Sequence, residues 1–376
     1  MRILIAPDSF KGSLSAQEVC VHLKAGMELA DSSLEVNSVP LADGGEGTVE
    51  AILYSLQGEW VEVEVQDPLF RPVTARYGII PDQKMAVIEM AAASGLELLT
   101  DDERNPLIAS TYGTGELILH ALDQGCESII TGIGGSATND GGVGMLTALG
   151  ATVTYDPDRT DDGPLIGINS LDLNHLDLRL KKVRIEIASD VTNSLTGKKG
   201  ATHVFGEQKG ATSEMRTVLE KNMIHYGNLL EAAAKKPIVD IPGAGAAGGL
   251  GAGLMALPLA RLRSGFEIVA DAVQLEEAVR QADWIITGEG KVDAQTLYGK
   301  VPYGVAKIAK SYHKPVICVA GTVGKGAVAL LDHGITSIFS ILQKPSSVEQ
   351  AMQDAPHLLQ NMGQQLIRLI QAADQT

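Results

Sequence analysis

Residues 2–13 read RILIAPDSFKGS, a short apolar run that turns abruptly into a polar loop containing glycine. The run from Arg2 to Ala6 predicts a buried strand, because short apolar stretches bounded by turn residues are typical of parallel sheets. A helix is expected next, from Ser15 to Ala30, and it opens with the spacing of a capping box. A second strand and a second helix follow between residues 35 and 56. This βαβα order predicts a parallel sheet covered by helices.

The middle of the chain changes character before the βα pattern returns. Alternating runs at 60–66 and 73–80 predict an antiparallel ribbon, and residues 156–167 predict a polar surface loop. Beyond them we expect an amphipathic helix at 214–236 with a strand at 238–241. Clean strand and helix alternation fills the last third of the chain.

We therefore predict an α/β fold with two Rossmann-like domains, one inserted in the other. Residues 1–75 together with 265–376 would form a discontinuous, doubly wound domain, and residues 76–264 would form the inserted α/β domain. Ligand sites of such sheets lie at the carboxyl ends of the strands. Polar loops follow the predicted strands repeatedly, so these loops are the candidates for chemistry.

Composition limits the classes of function. The 376 residues carry a formal net charge of −16, which argues against a nucleic-acid-binding or anionic-membrane-binding surface. Apolar residues make up 45% of the chain and aromatic residues 4%, as expected for a globular α/β protein. Three well separated cysteines show no metal-binding spacing, and no signal peptide or membrane span is apparent. We expect a soluble, cytoplasmic protein.

Residues 131–142 read TGIGGSATNDGG and follow a strand-like segment. Their glycines can present backbone N–H groups to an anion, and Ser136 and Asn139 add a hydroxyl and an amide. The loop predicts a phosphate or polyol site. A tight turn from strand to helix explains the same residues equally well.

Other loops add charge at the ends of predicted strands. Lys11 could hold a carboxylate or a phosphate, although a solvated lysine beside a capping turn is the commoner arrangement. Asp43 lies in a glycine-flanked loop that could bind hydroxyl groups or a metal, or simply turn. Asp190 is positioned to accept a hydroxyl proton or to contact magnesium, with an ordinary Asx-turn as the alternative. The loop 287–300 gathers carboxylate, amide, hydroxyl and lysine groups.

The run 242–253 reads PGAGAAGGLGAG and matches GxGxxG, a weak signal by itself. It predicts either a phosphate-binding nest or a place where small residues let two backbones pack closely.

Three classes of function fit these loops to different degrees. A dehydrogenase is suggested because Gly132, Gly134 and Ala137 match GxGxxA and Asp156 follows about 20 residues later. The residues 138–142 form helices poorly, however, whereas that fingerprint requires a helix to start inside it. A phosphotransferase explains more, since it needs anion-binding loops, carboxylates and lysines. A non-catalytic protein that binds a small ligand is the third alternative, and it explains the mixed charges at the strand ends less well.

Several motifs in order along the chain resemble the bacterial glycerate kinase family. They are APDSFKGSLSA at 6–16, ADGGEGT at 42–48, the loop 131–142, DVTN at 190–193, QKGA at 208–211, the glycine run 243–251, and GEG at 288–290 with Asp293 and QT at 295–296. The resemblance implies two α/β domains with a cleft, and phosphorylation of D-glycerate that depends on ATP and Mg²⁺. Within the family, the motifs look most like those of glycerate 2-kinases, which make 2-phosphoglycerate. Ser194, Glu207 and Phe70 depart from the family pattern, and these changes affect loop rigidity rather than charge.

The resemblance turns the candidate loops into hypotheses about roles. Asp190 would orient or deprotonate the glycerate hydroxyl, and Lys11 would neutralise the transferring phosphoryl group or the glycerate carboxylate. Glu289 and Asp293 would help to place Mg²⁺ on the ATP phosphates. Residues of three loops would hold glycerate: Ser9, Asp43, Gly134, Gly135, Ser136 and Asn139. Nucleotide phosphates would contact Gly243, Gly245, Gly248, Gly249, Thr296 and Lys300.

The sequence leaves some alternatives open. A glycerate 3-kinase giving 3-phosphoglycerate and, from another class, an NAD-type dehydrogenase of a small hydroxy acid are the rivals. Whether the 131–142 loop faces glycerate or an ATP phosphate is not determined by its residues. A monomer and a homodimer are both compatible with the sequence, and the expected partners are small molecules alone.

Overall fold

A computed structural model of the protein describes residues 1–159 and 163–374. The strands are, in chain order, β1 (Arg2–Ile5), β2 (Glu35–Ser38), β3 (Glu59–Gln66), β4 (Pro72–Ile80), β5 (Met85–Glu89), β6 (Ser128–Gly132), β7 (Thr152–Tyr155), β8 (Ile168–Asp172), β9 (Arg184–Ala188), β10 (Ala260–Arg263), β11 (Trp284–Val292), β12 (Val316–Val323) and β13 (Ser337–Ser340). The α-helices are α1 (Ala16–Ala30), α2 (Thr48–Leu56), α3 (Ala91–Ser94), α4 (Tyr112–Asp123), α5 (Val143–Ala148), α6 (Ala201–Phe205), α7 (Ser213–Ala234), α8 (Leu250–Met255), α9 (Gly265–Ala272), α10 (Leu275–Gln281), α11 (Val301–Ser311) and α12 (Val348–Asp374). Part of the polar loop predicted at 156–167, residues 160–162, lies outside the described residues.

The described chain forms two compact units. Of the described residues, unit 1 contains 1–43, 50–57 and 266–374, and unit 2 contains 44–49, 58–159 and 163–265. The predicted α/β class is confirmed in both. The first predicted domain boundary, at residue 75, falls inside β4, whereas unit 2 includes all of β3 and β4 because they pair with each other and then with β5. The division into domains itself stays a prediction.

Unit 1 is built on a parallel five-stranded sheet in the order β13-β12-β11-β1-β2. Numbered along the chain within this unit, the order is 2-1-3-4-5, one of the two common doubly wound arrangements. The chain leaves β1 toward one edge and returns at β11 to build toward the other. Ligands of doubly wound sheets bind outside the carboxyl ends of the strands at this reversal, so β1 and β11 mark the place to search.

One face of this sheet is covered by α1 and α12, which pack at very short range. Ser15 caps α1 as predicted, since its hydroxyl accepts the Glu18 N–H and the Glu18 carboxylate accepts the Ser15 N–H. A Cβ atom on Gly26 would lie 1.9 Å from the Gln360 carbonyl oxygen, and one on Gly363 would lie 2.3 Å from that of Leu23. A side chain at either glycine would push the two helices apart.

Unit 2 is built on a six-stranded sheet in the order β10-β9-β6-β5-β4-β3. Neighbours from β10 to β5 are parallel, and the predicted ribbon of β3 and β4 continues the sheet in antiparallel fashion. The last residue of β6, Gly132, is paired with the last residue of β9, Ala188. The loops that follow these two strands therefore start side by side.

The helix predicted at 214–236 is confirmed as α7, and its apolar residues Leu219, Met223, Tyr226 and Leu230 are buried. The strand predicted at 238–241 is wrong. The Glu231 carboxylate accepts the N–H groups of Ile238 and Val239 at 2.7 and 2.9 Å, so a side chain satisfies the backbone groups that a strand neighbour would otherwise bind.

Helices capable of crossing a lipid bilayer are absent from the described part of the chain.

Candidate functional site

In unit 1, Asp8 follows β1 and is fixed against β11. Its backbone N–H donates to the Gly288 carbonyl at 2.8 Å, and its Oδ1 atom accepts the Ser9 N–H at 2.7 Å. The side chain is buried, with 3% of its surface exposed. The polar loop after β1 thus places a carboxylate at the carboxyl ends of β1 and β11, where the strand order of the sheet reverses.

The environment of Asp8 is unfavourable for negative charge. Burial raises its pKa to about 7, with a further rise from Asp43 and a smaller one from Glu289, against the opposing effects of the Ser9 hydrogen bond and Lys11. Burial also lowers the pKa of Lys11, but Asp43, whose Oδ2 lies 3.6 Å from the Lys11 Nζ, and Asp8 outweigh it and raise that pKa overall. Asp8 can therefore gain or lose a proton near neutral pH beside a lysine that stays charged.

Glu289 lies across the reversal from Asp8 and is held by two donors. The Thr296 hydroxyl donates to its Oε1 at 2.6 Å, and the Lys300 Nζ donates to its Oε2 at 2.7 Å. Thr296 and Lys300 were predicted as nucleotide ligands, and both contact this buried carboxylate.

Asp293 has a different environment. It caps the short 3-10 helix Ala294–Leu297 by accepting the Gln295 N–H at 2.8 Å, and its Oδ2 lies 3.1 Å from the Lys291 Nζ. The Gln295 hydrogen bond and then Lys291 hold its pKa below the usual range.

A cavity of about 440 Å³ opens at these strand ends, a size typical of small-molecule sites. The lining includes the polar and charged residues Asp8, Ser9, Lys11, Glu289, Lys291 and Lys300. It also includes the apolar residues Phe10, Ile341, Leu342, Val348, Ala351, Met352 and Ala355. Asp43 and Asp293 are not among the lining residues.

The carboxylates of this site fit a Mg²⁺ ion that would also be coordinated by the phosphate groups of a ligand. Among residues 1–159 and 163–374 there is no set of three or more His, Cys, Asp or Glu side chains arranged to hold a metal. Magnesium commonly uses only one or two carboxylates together with substrate phosphates and water. Burial, with Asp43 and Glu289 adding to it, raises the pKa of Asp8, and a bound cation would favour the ionised form of this carboxyl group.

The loop 131–142 of unit 2 is mostly internal. Gly134 and Gly135 are exposed, whereas the residues from Ser136 to Asp140 are buried. Asn139 donates to the Thr202 hydroxyl at 3.0 Å, and its Oδ1 is buried without a hydrogen-bond partner among the described residues. Of the predicted glycerate ligands on this loop, the two glycines are therefore the accessible ones.

A buried lysine, Lys209, donates hydrogen bonds that hold the loop 131–142 in place. The Lys209 Nζ donates to the Ser136 hydroxyl and to the Thr138 carbonyl, both at 2.6 Å, and the residue is 1% exposed. Burial lowers its pKa to about 7, although the attraction of Asp140 opposes this shift. Asp140 accepts four hydrogen bonds from residues 111–144, and burial still raises its pKa.

Asp190 is exposed two residues after the end of β9, as the strand pattern predicts. The glycine run 242–253 is closely packed. A Cβ on Gly245 would lie 2.1 Å from the Ser194 carbonyl oxygen, and one on Gly248 would lie 1.9 Å from that of Thr138. Gly243 and Gly249 are similarly enclosed, so the geometry favours close backbone packing, and the nucleotide-binding role of these glycines stays a prediction.

Sequence reasoning gave no role to two residues that shape these sites, Asp8 and Lys209. Asp8 is a carboxylate in the loop that follows a buried strand, and the same kind of position selected Asp190. No comparable signal exists for Lys209, because lysines in loops are solvated as a rule.

Fold and site together define an α/β protein that carries its charged groups at the carboxyl ends of parallel strands. The sequence profile of the glycerate kinase family matches residues 3–371. The chain belongs to the glycerate kinase family.

Several known proteins match this sequence over nearly its whole length. A glycerate kinase of Bacillus subtilis (strain 168) is 47% identical over 377 residues, covering 99% of this chain and 98% of the relative. A glycerate 2-kinase of Escherichia coli (strain K12) is 48% identical over 359 residues, covering 94% of each chain. A crystal structure from Salmonella typhimurium LT2, of a protein provisionally described as glycerate kinase 2, matches with a TM-score of 0.91 and 47% identity over 100% of both chains.

We expect the substitution Asp8→Asn to stabilise unit 1 increasingly as pH rises. The pKa of Asp8 is about 7 in the folded protein against 3.8 as its ordinary value, so the folded state binds more protons between these limits and the wild type loses stability as pH rises through them. The variant cannot ionise at this position. Its advantage in the free energy of unfolding should grow by about 2 to 3 kcal/mol from pH 5 to pH 8.

Urea unfolding followed by tryptophan fluorescence at several pH values measures this difference. Asp332→Asn, at an exposed carboxylate of the same unit, is the control and should show no such trend. A difference between Asp8→Asn and wild type that stays constant with pH would contradict the assignment.

We expect Lys209→Met to loosen the 131–142 loop while changing global stability little. Lowering the pKa of Lys209 from 10.5 to about 7 costs on the order of 4 kcal/mol near neutral pH, and the substitution removes that cost. It also removes two short hydrogen bonds and leaves a buried carbonyl without a partner, a loss of roughly the same size. The two effects offset each other globally, but the loop alone loses its support.

Hydrogen exchange measured by mass spectrometry should therefore show faster exchange in peptides covering residues 131–142. The exposed Lys198→Met is the control. An unchanged rate of hydrogen exchange at residues 131–142 in Lys209→Met would contradict the role of Lys209 in holding the loop.

Proposed function

We propose that this protein is an ATP-dependent kinase that phosphorylates D-glycerate at its 2-hydroxyl, giving 2-phospho-D-glycerate and ADP. The observation that carries the proposal is the match to the glycerate kinase family over residues 3–371. The relative from Escherichia coli named glycerate 2-kinase, 48% identical over 94% of the chain, supports the 2-hydroxyl as the acceptor.

Phosphoryl transfer asks mainly for positioning and for stabilisation of charge. We assign the hydroxyl-orienting or proton-accepting role to Asp190, whose exposure at the end of β9 leaves it accessible to a substrate. Exposed Gly134 and Gly135 can offer backbone N–H groups to glycerate from the neighbouring strand end. Ser136 and Asn139 would act by fixing this loop, since both are buried.

In unit 1 we assign charge neutralisation to Lys11, with Ser9 and Asp43 as further polar contacts. The raised pKa of Lys11 supports this, because the residue stays protonated at any physiological pH. Asp43 holds the lysine by their ion pair. Glu289 and Asp293 are the proposed carboxylates for Mg²⁺, and of the two, Glu289 is the one that lines the cavity.

Bound Mg²⁺ would neutralise charge on the phosphate oxygens. The protein would contribute the orientation of its own groups. Thr296 and Lys300 hold the Glu289 carboxylate in one position. Thr296 is buried and would act on the nucleotide through Glu289, whereas Lys300 lines the cavity and could also contact the nucleotide directly.

The dehydrogenase alternative receives no support from the local geometry. In the dinucleotide fingerprint the helix starts inside the glycine motif. Here α5 begins at Val143, six residues beyond the Ala137 that would close the motif.

Incubation with D-glycerate, ATP and Mg²⁺, followed by phosphorus NMR of the product, tests the reaction and its position. We expect 2-phosphoglycerate, because of the family match. Phosphate on C3 would replace the proposal with a glycerate 3-kinase. No transfer to glycerate, or NADH consumption with hydroxypyruvate in the absence of ATP, would refute the kinase.

We expect Asp190→Ala to lower kcat about 10²-fold or more while leaving the fold intact, as is typical when a proton acceptor is removed. The matched control is Asp240→Ala, at another exposed carboxylate of unit 2. Steady-state kinetics with both substrates varied, together with circular dichroism, make the comparison. A folded Asp190→Ala protein with near wild-type turnover would exclude the assignment.

A further inference from the structure

A serine of the loop 131–142 and a buried lysine are in direct contact in unit 2. The Lys209 Nζ lies 2.6 Å from the Ser136 Oγ, which is within reach for proton transfer between a nucleophile and its base. The Thr138 carbonyl accepts a second hydrogen bond from the same Nζ, also at 2.6 Å. A serine, a base and a third group that orients the base are the parts of an activated-serine site, and lysine is the base in some of these sites.

The surroundings of Lys209 favour the neutral amine that a base requires. The residue is 1% exposed, and burial lowers its pKa to about 7, although the attraction of Asp140 opposes this shift. A protonated lysine has three N–H donors and no acceptor, whereas the neutral amine has two donors and one lone pair. One N–H can then stay on the Thr138 carbonyl while the lone pair accepts the Ser136 hydroxyl proton.

The backbone on both sides of Ser136 is fixed, so the contact with the lysine does not depend on a mobile loop. The Ala137 N–H donates to the Ser94 carbonyl at 3.0 Å, and the Leu96 N–H donates to the Gly135 carbonyl at 2.8 Å. These two hydrogen bonds attach the loop to the segment that follows β5. The serine is therefore held in position before any reactant arrives, as efficient nucleophilic attack requires.

The loop also offers hydrogen-bond donors for a developing negative charge. Gly134 and Gly135 are exposed, and Ser136 keeps 8% of its surface exposed next to them. Within residues 1–159 and 163–374, the backbone N–H groups of these three residues have no acceptor. Unpaired N–H groups at and just before a nucleophile are the kind of donor that stabilises the oxyanion of acyl transfer.

We propose that Ser136 and Lys209 form a nucleophile and general-base pair, through which unit 2 hydrolyses small activated carboxylic esters by way of an acyl group on the Ser136 oxygen. The limited exposure of Ser136 restricts the reaction to small acyl groups. This activity is additional to the proposed kinase function and does not rest on it.

The reaction proceeds in two balanced steps. The Ser136 Oγ forms a bond to the ester carbonyl carbon, the bond from that carbon to the alcohol oxygen breaks, and the serine proton passes through the Lys209 Nζ to the departing alcohol. Water then attacks the acyl carbon and gives its proton to the same amine, which returns it to the Ser136 oxygen as the carboxylic acid leaves. No oxidant or further co-reactant is needed.

Hydrolysis of p-nitrophenyl acetate, measured without ATP or glycerate, tests the activity, and mass spectrometry of peptides from an acid-quenched sample locates the acetyl group. We expect the wild-type protein to carry an acetyl group on Ser136 and to release nitrophenol faster than buffer does. Ser136→Ala and Lys209→Met should each lower the rate above the buffer background at least about tenfold, as is typical when a nucleophile or a base is lost.

Lys209→Arg separates a base from a purely structural lysine. Arginine keeps the charge and the N–H donors but does not deprotonate in proteins, so it can hold the loop without accepting the serine proton. Its hydrolysis rate should be as low as that of Lys209→Met. Ser213→Ala and Lys198→Met, at exposed positions of unit 2, are the matched controls and should leave the rate unchanged.

Two outcomes overturn the proposal, and neither depends on how well the lysine variants fold. One is a wild-type protein without acetyl on Ser136, and the other is a Ser136→Ala protein that hydrolyses the ester as fast as wild type. A folded Lys209→Arg protein that is acetylated on Ser136 at the wild-type rate would also overturn it, because the lysine would then act only on the position of the loop. Circular dichroism shows whether each variant is folded.

Discussion

The parallel pairing of β1 with β11 is the constraint on which the geometry of unit 1 depends. From this pair, the chain adds β2 on one side and β12 and β13 on the other. The loops that follow β1 and β11 therefore lead away in opposite directions and leave a crevice at the carboxyl ends of the two strands. The hydrogen bond from the Asp8 N–H to the Gly288 carbonyl extends the pairing beyond the last strand residue. Sheet topology thereby brings carboxylates 281 residues apart in sequence, Asp8 and Glu289, into one electrostatic environment.

Both units keep ionisable groups inside at a cost to stability. Asp8 and Lys209 have pKa values near 7, shifted in opposite directions by the same cause, burial. Apolar residues of similar size would remove that cost. In each case the charged group is bonded to a polar loop at a strand end, so what it contributes is the position of that loop rather than folding free energy. Buried charge of this kind is a frequent property of ligand sites.

The sequence predicted much of the fold because the relevant signals are local. The capping box of Ser15, the apolar face of α7 and the ribbon of β3 and β4 each depend on residues close together in the chain, and each is confirmed. The strand at 238–241 failed because Glu231, on the preceding helix, satisfies its N–H groups. Long-range effects were invisible for the same reason. No sequence pattern indicates that Thr296 and Lys300 would bind the Glu289 carboxylate, or that Lys209 would be buried.

The two glycine-rich runs show why a motif alone cannot assign a ligand. In the loop 131–142, Gly134 and Gly135 are exposed, and the space beside Gly134 is occupied no nearer than 3.5 Å. In the run 242–253, a Cβ atom on Gly248 would meet the carbonyl of Thr138, a residue of the first loop, at 1.9 Å. The second run is therefore the surface against which the first is packed. In the loop 131–142, the missing side chain leaves room for a ligand to approach the backbone. In the run 242–253, it lets another backbone segment pack closely. Substitution in the second run would displace the first loop without touching any ligand, so loss of activity there could not by itself identify a nucleotide site.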